Sequence, residues 1–187
     1  MLSNPIAPLV DGAVAALDAG KTKYTDRPGI VGLRQWVADD LNRRYDLGLG
    51  ANQVTITCGL EEARFVAVTY LAYGGQVELS VPLDEVDNDV LVYKTSWDTD
   101  QSSVADGQNI VLDVSGGLPE AHPSQQPALA PRTITIGQFP NIGEGWRVAW
   151  MAGHDQHAKI RSYKQSMTIC TPSVSQWAVL GMLEANG

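Results

Sequence analysis

The sequence predicts an α/β protein, a three-layer α/β/α sandwich built around a mostly parallel sheet. Three observations carry that expectation. Short runs that alternate or are apolar throughout, as strands are, interleave with longer stretches at helical spacing. Two of the runs, "DVLVY" and "NIVLDV", have the continuous apolar character of strands covered on both faces. The chain has 187 residues, 44% hydrophobic and 18% charged, which suits a single domain over 1–187 with its own core.

The elements follow in order. "VDGAVAALDAGK" reads as a short helix with Val14 and Leu17 on its apolar side and Gly20 as its stop. "GIVGLRQWVADDLNRRYDLG" is a clearer helix. Leu33, Trp36, Val37 and Leu41 recur at helical spacing, with Asp39, Asp40, Arg43 and Arg44 mostly outside and Gly48 and Gly50 ending it. "NQVTITCG" alternates as a strand through Val54, Ile56 and Cys58, and "LEEARFVAVTYLAYGG" follows as a mostly apolar helix closed by two glycines. "QVELSVP", "DVLVY", "NIVLDV", "TITIG" and "WRVAWMA" supply further strands. Between them, "KTSWDTDQSSVADGQ" and "PEAHPSQQPALAP" are polar, turn-rich loops. Two helices, over 155–168 and 173–185, finish the chain on either side of Pro172.

A net charge of −8 and a pI near 4.7 argue against a nucleic-acid or anionic-membrane surface, since both require basic patches. Neither is expected as a partner. The only two cysteines, Cys58 and Cys170, lie far apart with no metal spacing and read as small buried apolar residues in a reducing compartment. No basic stretch precedes an apolar core near the start, and no apolar run approaches the ~20 residues that span a bilayer, so a cytoplasmic location is expected.

Parallel sheets bind ligands just beyond the carboxyl ends of their strands. The residues there are Cys58, Gly59, Leu60 and Glu61, then Asp113, then the loop from Gly137 to Arg147. A phosphate dianion is well held by the N–H groups of a helix N-terminus together with one arginine. Gly59 with the start of its helix, and Arg147, would supply these. The plainer alternatives stay open: Arg147 pairs with an acidic neighbour, and Asp113 caps the turn into "SGG". His154 and His157 are three apart, but no third ligand accompanies them and no metal is expected. No serine carries a nucleophile motif, and no G-x-G-x-x-G follows a strand.

Three stretches together resemble the large domain of the fold-type-I pyridoxal-phosphate aminotransferases. "KYTDRPGIVGLRQWVADDL" is similar to the family's tyrosine, glycine and Leu-Arg run ahead of a helix. "VTITCGLEEARFVAVTYLA" resembles the strand, glycine turn and helix that hold the cofactor phosphate. "RTITIGQFPNIGEGWRVAWMAG", with the helices beyond it, resembles the segment carrying the Schiff-base lysine and the phosphate-binding arginine. The resemblance implies that Gly59, Leu60 and Arg147 bind phosphate and that Asp113 faces the pyridine nitrogen. It also implies that Tyr24 reaches the phosphate of a neighbouring subunit, hence a homodimer.

The departures are as informative. The family's lysine stands eight residues before the arginine; counting back from Arg147 gives Phe139, a one-residue gap that aligns Gly143 gives Asn141, and neither is lysine. The five lysines are Lys21, Lys23, Lys94, Lys159 and Lys164, and none falls between Lys94 and Lys159. Gly116 stands where the family commonly has a tyrosine, and Glu61 brings a repelling carboxylate to the phosphate turn. No small C-terminal domain follows, although family members are longer. The reading is therefore a degenerate, naturally reduced relative with no catalytic residue to assign and no transaminase activity. It would act as a binding or assembly module, as a homodimer or with another protein partner. The alternative is an enzyme that binds pyridoxal phosphate, or a related phosphate, noncovalently at a non-standard site.

Overall fold

The strands are buried almost end to end because helices cover the sheet on both sides. The computed structural model describes residues 7–75, 82–98, 104–143, 145–154 and 157–186. The described strands are β1 (Val54–Thr57), β2 (Leu91–Lys94), β3 (Asn109–Asp113), β4 (Thr133–Gln138) and β5 (Ala149–Gly153), arranged β1-β5-β4-β3-β2. β5 runs antiparallel to both neighbours, and the other pairs are parallel. Four of the five strands therefore share one direction, as the sequence predicts. "QVELSVP" lies outside the described residues.

Side-chain alternation builds two cores. One face of the sheet presents Ile56, Val92, Ile110, Leu112, Trp150 and Ala152 to α1 (Ala7–Asp18), α2 (Val31–Tyr45) and α5 (Ser173–Asn186). The other presents Tyr93, Val111, Ile134, Ile136 and Met151 to α3 (Leu60–Tyr73) and α4 (His157–Met167). The result is the three-layer sandwich. Among the described residues no helix is long and apolar enough to cross a membrane.

Three sequence expectations need correction. Val14 and Leu17 are exposed, and α1 buries Leu9, Ala13 and Ala16 instead. The small residues win because α1 lies backbone to backbone on α5. A Cβ on Gly12 would stand 2.8 Å from the Ala178 carbonyl oxygen, and one on Gly181 would stand 3.1 Å from the Gly12 Cα. Second, α2 ends at Asp46 in a left-handed cap, its N–H returning to the Asn42 carbonyl at 2.8 Å, ahead of Gly48 and Gly50. The Asn42 amide then closes the turn, donating to the Leu49 carbonyl and accepting the Leu49 N–H, both at 2.8 Å. Third, Cys58 and Cys170 are half-buried free thiols rather than core residues, because both sit in turns at the ends of elements.

Two histidines are buried against the sheet. His122 accepts the Ser124 N–H at Nδ1 (3.1 Å), so its proton is on Nε2, 2.8 Å from the Thr135 hydroxyl. His157 Nε2 lies 3.0 Å from the Thr55 hydroxyl. Burial lowers the His122 pKa to about 4 and, with Arg161 and Arg34 adding repulsion, that of His157 to about 3. The unfolded chain takes up these protons near pH 6.5, the folded chain only far below it. The contribution of these two histidines is therefore flat above about pH 7.5 and falls as the pH drops towards 4, by up to about 1.4 kcal/mol per pH unit for each. Urea unfolding at pH 7.5 and pH 5 is expected to differ by about 3–4 kcal/mol. In His157→Gln the pH dependence should fall to about half, the share left to His122; an unchanged slope would contradict this assignment.

Candidate functional site

β1, β3 and β4 end, and β5 begins, at one edge of the sheet, so that edge gathers the loops the sequence singles out. Gly59, at φ 84°, turns β1 directly into α3. This conformation leaves the first amides of α3 facing the edge. Glu62, one turn into the helix, accepts the Cys58 N–H at 2.6 Å and fixes the bend. Arg147 reaches the same turn from the other side, its Nη2 donating to the Cys58 carbonyl at 3.2 Å. Its own backbone is left-handed, at φ 52°, and it precedes β5 rather than starting it. A Cβ on Gly59 would stand 3.5 Å from the Arg147 Cα, so the two segments are in contact. Between them lies a cleft of about 400 Å³ lined by Gly59, Leu60, Glu61, Gln138, Gly143 and Arg147. Among the described residues no carboxylate pairs with Arg147.

Asp113, at the end of β3, is 2% exposed and does not line this cleft. Its Oδ1 accepts the Ser115 N–H at 2.9 Å, the turn-capping role the sequence left open. Oδ2 is occupied three times over. The Tyr93 hydroxyl of β2 donates to it, as does Arg64 Nε of α3 at 2.9 Å, and Arg64 Nη2 lies 2.8 Å from it in the same ion pair. Arg64 Nε also reaches the Tyr93 oxygen at 3.1 Å, and Nη1 donates to Glu61 at 2.8 Å. Burial alone would raise Asp113, but the bonds from Ser115, Tyr93 and Arg64 hold it below the usual carboxylate range. Burial and the adjacent carboxylate push the Tyr93 phenol well up. For Arg64 burial works downwards, and Asp113 and Tyr93 more than reverse it. The trio is a neutral, internally satisfied unit.

Of the five residues singled out, Gly59, Leu60 and Arg147 come together, and Asp113 stands apart behind Arg64. Tyr24 is 82% exposed and borders surface hollows with Lys23, Thr25 and Ser173. Phe139 is a buried aromatic packed on Trp36, with ring centroids 5.7 Å apart. The two histidines of "GHDQHAK" diverge, His154 towards Gln53 and His157 towards Thr55. Three participants escaped sequence reasoning: Arg64, Tyr93 and Lys164. Lys164 is fully buried in α4, with its Nζ 3.8 Å from Glu62 Oε2 and donating to the Thr168 carbonyl at 3.3 Å. Burial lowers its pKa, against the pull of Glu62.

No family model matches the chain. Comparison with solved structures finds a methionine aminotransferase from Escherichia coli, 18% identical, with a TM-score of 0.71 over 95% of this chain and 63% of that one. The aspartate aminotransferase of Thermus thermophilus with maleate follows at 16% identity and a TM-score of 0.68, over 96% of this chain and 62% of that one. This chain has the large-domain fold of the fold-type-I aminotransferases. Among curated relatives of this aminotransferase-like chain, the aspartate aminotransferase of Thermotoga maritima is 34% identical over 90 residues, 48% of this chain and 21% of that protein. A probable aspartate aminotransferase of Methanocaldococcus jannaschii is 32% identical over 74 residues, 40% of this chain and 20% of that protein. The chain thus spans less than two thirds of the proteins it resembles.

Proposed function

We propose that this is a degenerate aminotransferase-like protein without transaminase activity, a binding or assembly module that keeps an anion-binding cleft at Gly59, Leu60 and Arg147. The observation that carries the reading is the occupation of Asp113. In the resemblance, that carboxylate faces the ring nitrogen of pyridoxal phosphate. Here an arginine and a phenol of the chain itself already fill its Oδ2. The donor set fits the phosphate end of the cofactor, with a helix N-terminus, a guanidinium that meets no carboxylate among the described residues, and Glu61 answered by Arg64 at 2.8 Å. It does not fit the ring end, and between Lys94 and Lys159 the sequence offers no amine.

Titration with pyridoxal phosphate, followed by borohydride reduction and mass spectrometry, tests this. The expected outcome is weak saturable binding, lost in Arg147→Ala, with no reduced adduct on any lysine and no amino-group transfer. The enzyme reading is favoured by one specific observation, the buried, pKa-lowered Lys164 behind the Gly59 turn. A single-site adduct at Lys164 would establish that reading and overturn ours.

A further inference from the structure

Two carboxylates, Glu61 and Glu62, stand in the first turn of α3, beside the amides that face the anion cleft. A negative charge there weakens the hold on an anion. The two are answered differently. Glu61 is 70% exposed, so water and salt screen it, and Arg64 Nη1 meets it at 2.8 Å. The Glu62 side chain is only 12% exposed, and its Oε2 is held at the turn by the Cys58 N–H at 2.6 Å. Little water reaches that charge, and its answer comes from the interior. Lys164 of α4 brings Nζ to 3.8 Å from the same Oε2, although none of its side chain reaches the surface. Nζ also donates to the Thr168 carbonyl at 3.3 Å, which anchors the ammonium just past the end of α4. Lys164 does not line the cleft, so whatever it does there it does through Glu62.

We propose that Lys164 is a positioning residue of the anion cleft, the counter-charge that lets Glu62 brace the Gly59 turn without repelling the bound anion. The inference rests on the anion-cleft reading of Gly59, Leu60 and Arg147. It gives the buried lysine a use that requires no covalent bond to a ligand. The turn needs an acceptor for the Cys58 N–H, and a carboxylate serves because the ammonium behind it offsets its charge. The guanidinium of Arg147 then acts on the anion unopposed by Glu62.

The test is a calorimetric titration with sulfate at pH 6.5, where this anion carries two charges, alongside amide spectra of ¹⁵N-cysteine-labelled protein. The chain has two cysteines, so the Cys58 signal is assigned through its loss in Cys58→Ala and reports the state of the turn. The parent chain is expected to bind sulfate saturably and Arg147→Ala to lose it. Lys164→Met should weaken sulfate about tenfold while the Cys58 amide signal stays in place, because Glu62 still accepts that N–H. Lys164→Met/Glu62→Gln should return to within about threefold of the parent, since glutamine keeps an acceptor and removes the charge. A lysine that merely supported the fold would move the Cys58 signal on substitution and gain nothing from the second change; either result overturns the proposal. Should Lys164→Met fail to fold, Glu62→Gln decides. It leaves the ammonium unopposed and should tighten sulfate about threefold, and no tightening overturns the proposal. Binding lost in Arg147→Ala but unchanged in Lys164→Met overturns this proposal and leaves the cleft reading standing. No saturable binding by the parent chain, or binding that survives Arg147→Ala, overturns the cleft reading and this proposal with it.

Discussion

Gly29→Ala is expected to lose about 4 kcal/mol of stability, enough to lower the melting temperature by about 8–16 °C in a chain of this length. Two physical causes add. Gly29 sits at φ +97°, which residues with a side chain rarely adopt, and a Cβ there would stand 2.4 Å from Ile56 Cγ1 and 2.9 Å from Gln176 Oε1. Neither neighbour has room to yield. Ile56 is a fully buried β1 side chain whose N–H donates to the Pro28 carbonyl at 2.8 Å. Gln176 is fully buried too, accepting the Ile30 N–H at 2.8 Å and donating to Thr171 O at 2.7 Å and Thr25 Oγ1 at 3.0 Å. Arg34 completes the knot by donating to the Gly29 carbonyl at 3.0 Å. One turn thus ties the sheet edge, α2 and α5 together. Gly107→Ala is the control, at φ +82° with nothing within 4 Å, and should lose only about 1–2 kcal/mol. Thermal melts of the two variants separate clash from backbone strain, and equal losses would refute the clash.

That knot also marks what the sequence was able to convey. The segment "TDRPGIVGLRQW" stood out by resemblance, and the structure gives it a physical reason: the glycine, the arginine and a distant glutamine satisfy one another. The apolar runs announced their strands because double burial leaves only apolar residues tolerable there. Gly74 and Gly75 announced the end of α3, where the Gly74 N–H returns to the Tyr70 carbonyl at 3.0 Å and that of Gly75 to Thr69 at 3.1 Å. What stayed hidden depended on partners far along the chain. Nothing local distinguishes the exposed Val14 from a core valine until α5 arrives with Ala178 and Gly181. Arg64 likewise reads as an ordinary helix charge three residues after Glu61, because its partner Asp113 is 49 residues away. One signal was available: Tyr93 pairs in register with Val111, so a parallel β2–β3 pair puts its side chain on the same face as Asp113 and one step away.

Arg64→Met carries the second large effect, because it removes the cation and leaves Asp113 ionised and 2% exposed. Breaking a buried pair from one side typically loses about 3–5 kcal/mol, and the 24% exposure of Arg64 argues for the lower end, about 3 kcal/mol. Asp113→Asn should lose less, about 1–2 kcal/mol, since the freed guanidinium keeps Glu61 and partial access to water. The double variant should recover part of the loss, a coupling that a double-mutant cycle by urea unfolding reads directly. Asp113 titrates below its unfolded value, so the pair's contribution is complete above about pH 4 and is lost as the pH falls through the folded pKa. The cycle should therefore give the same coupling at pH 5 and pH 8. The same variant bears on function. If the Arg64 guanidinium stands where the resemblance puts a cofactor's protonated ring nitrogen, removing it reopens the carboxylate. Arg64→Met should then bind pyridoxal phosphate at least tenfold more tightly than the parent chain, while Arg64→Met/Asp113→Asn should not. Unchanged affinity in the single variant would mean that the pair serves the fold alone.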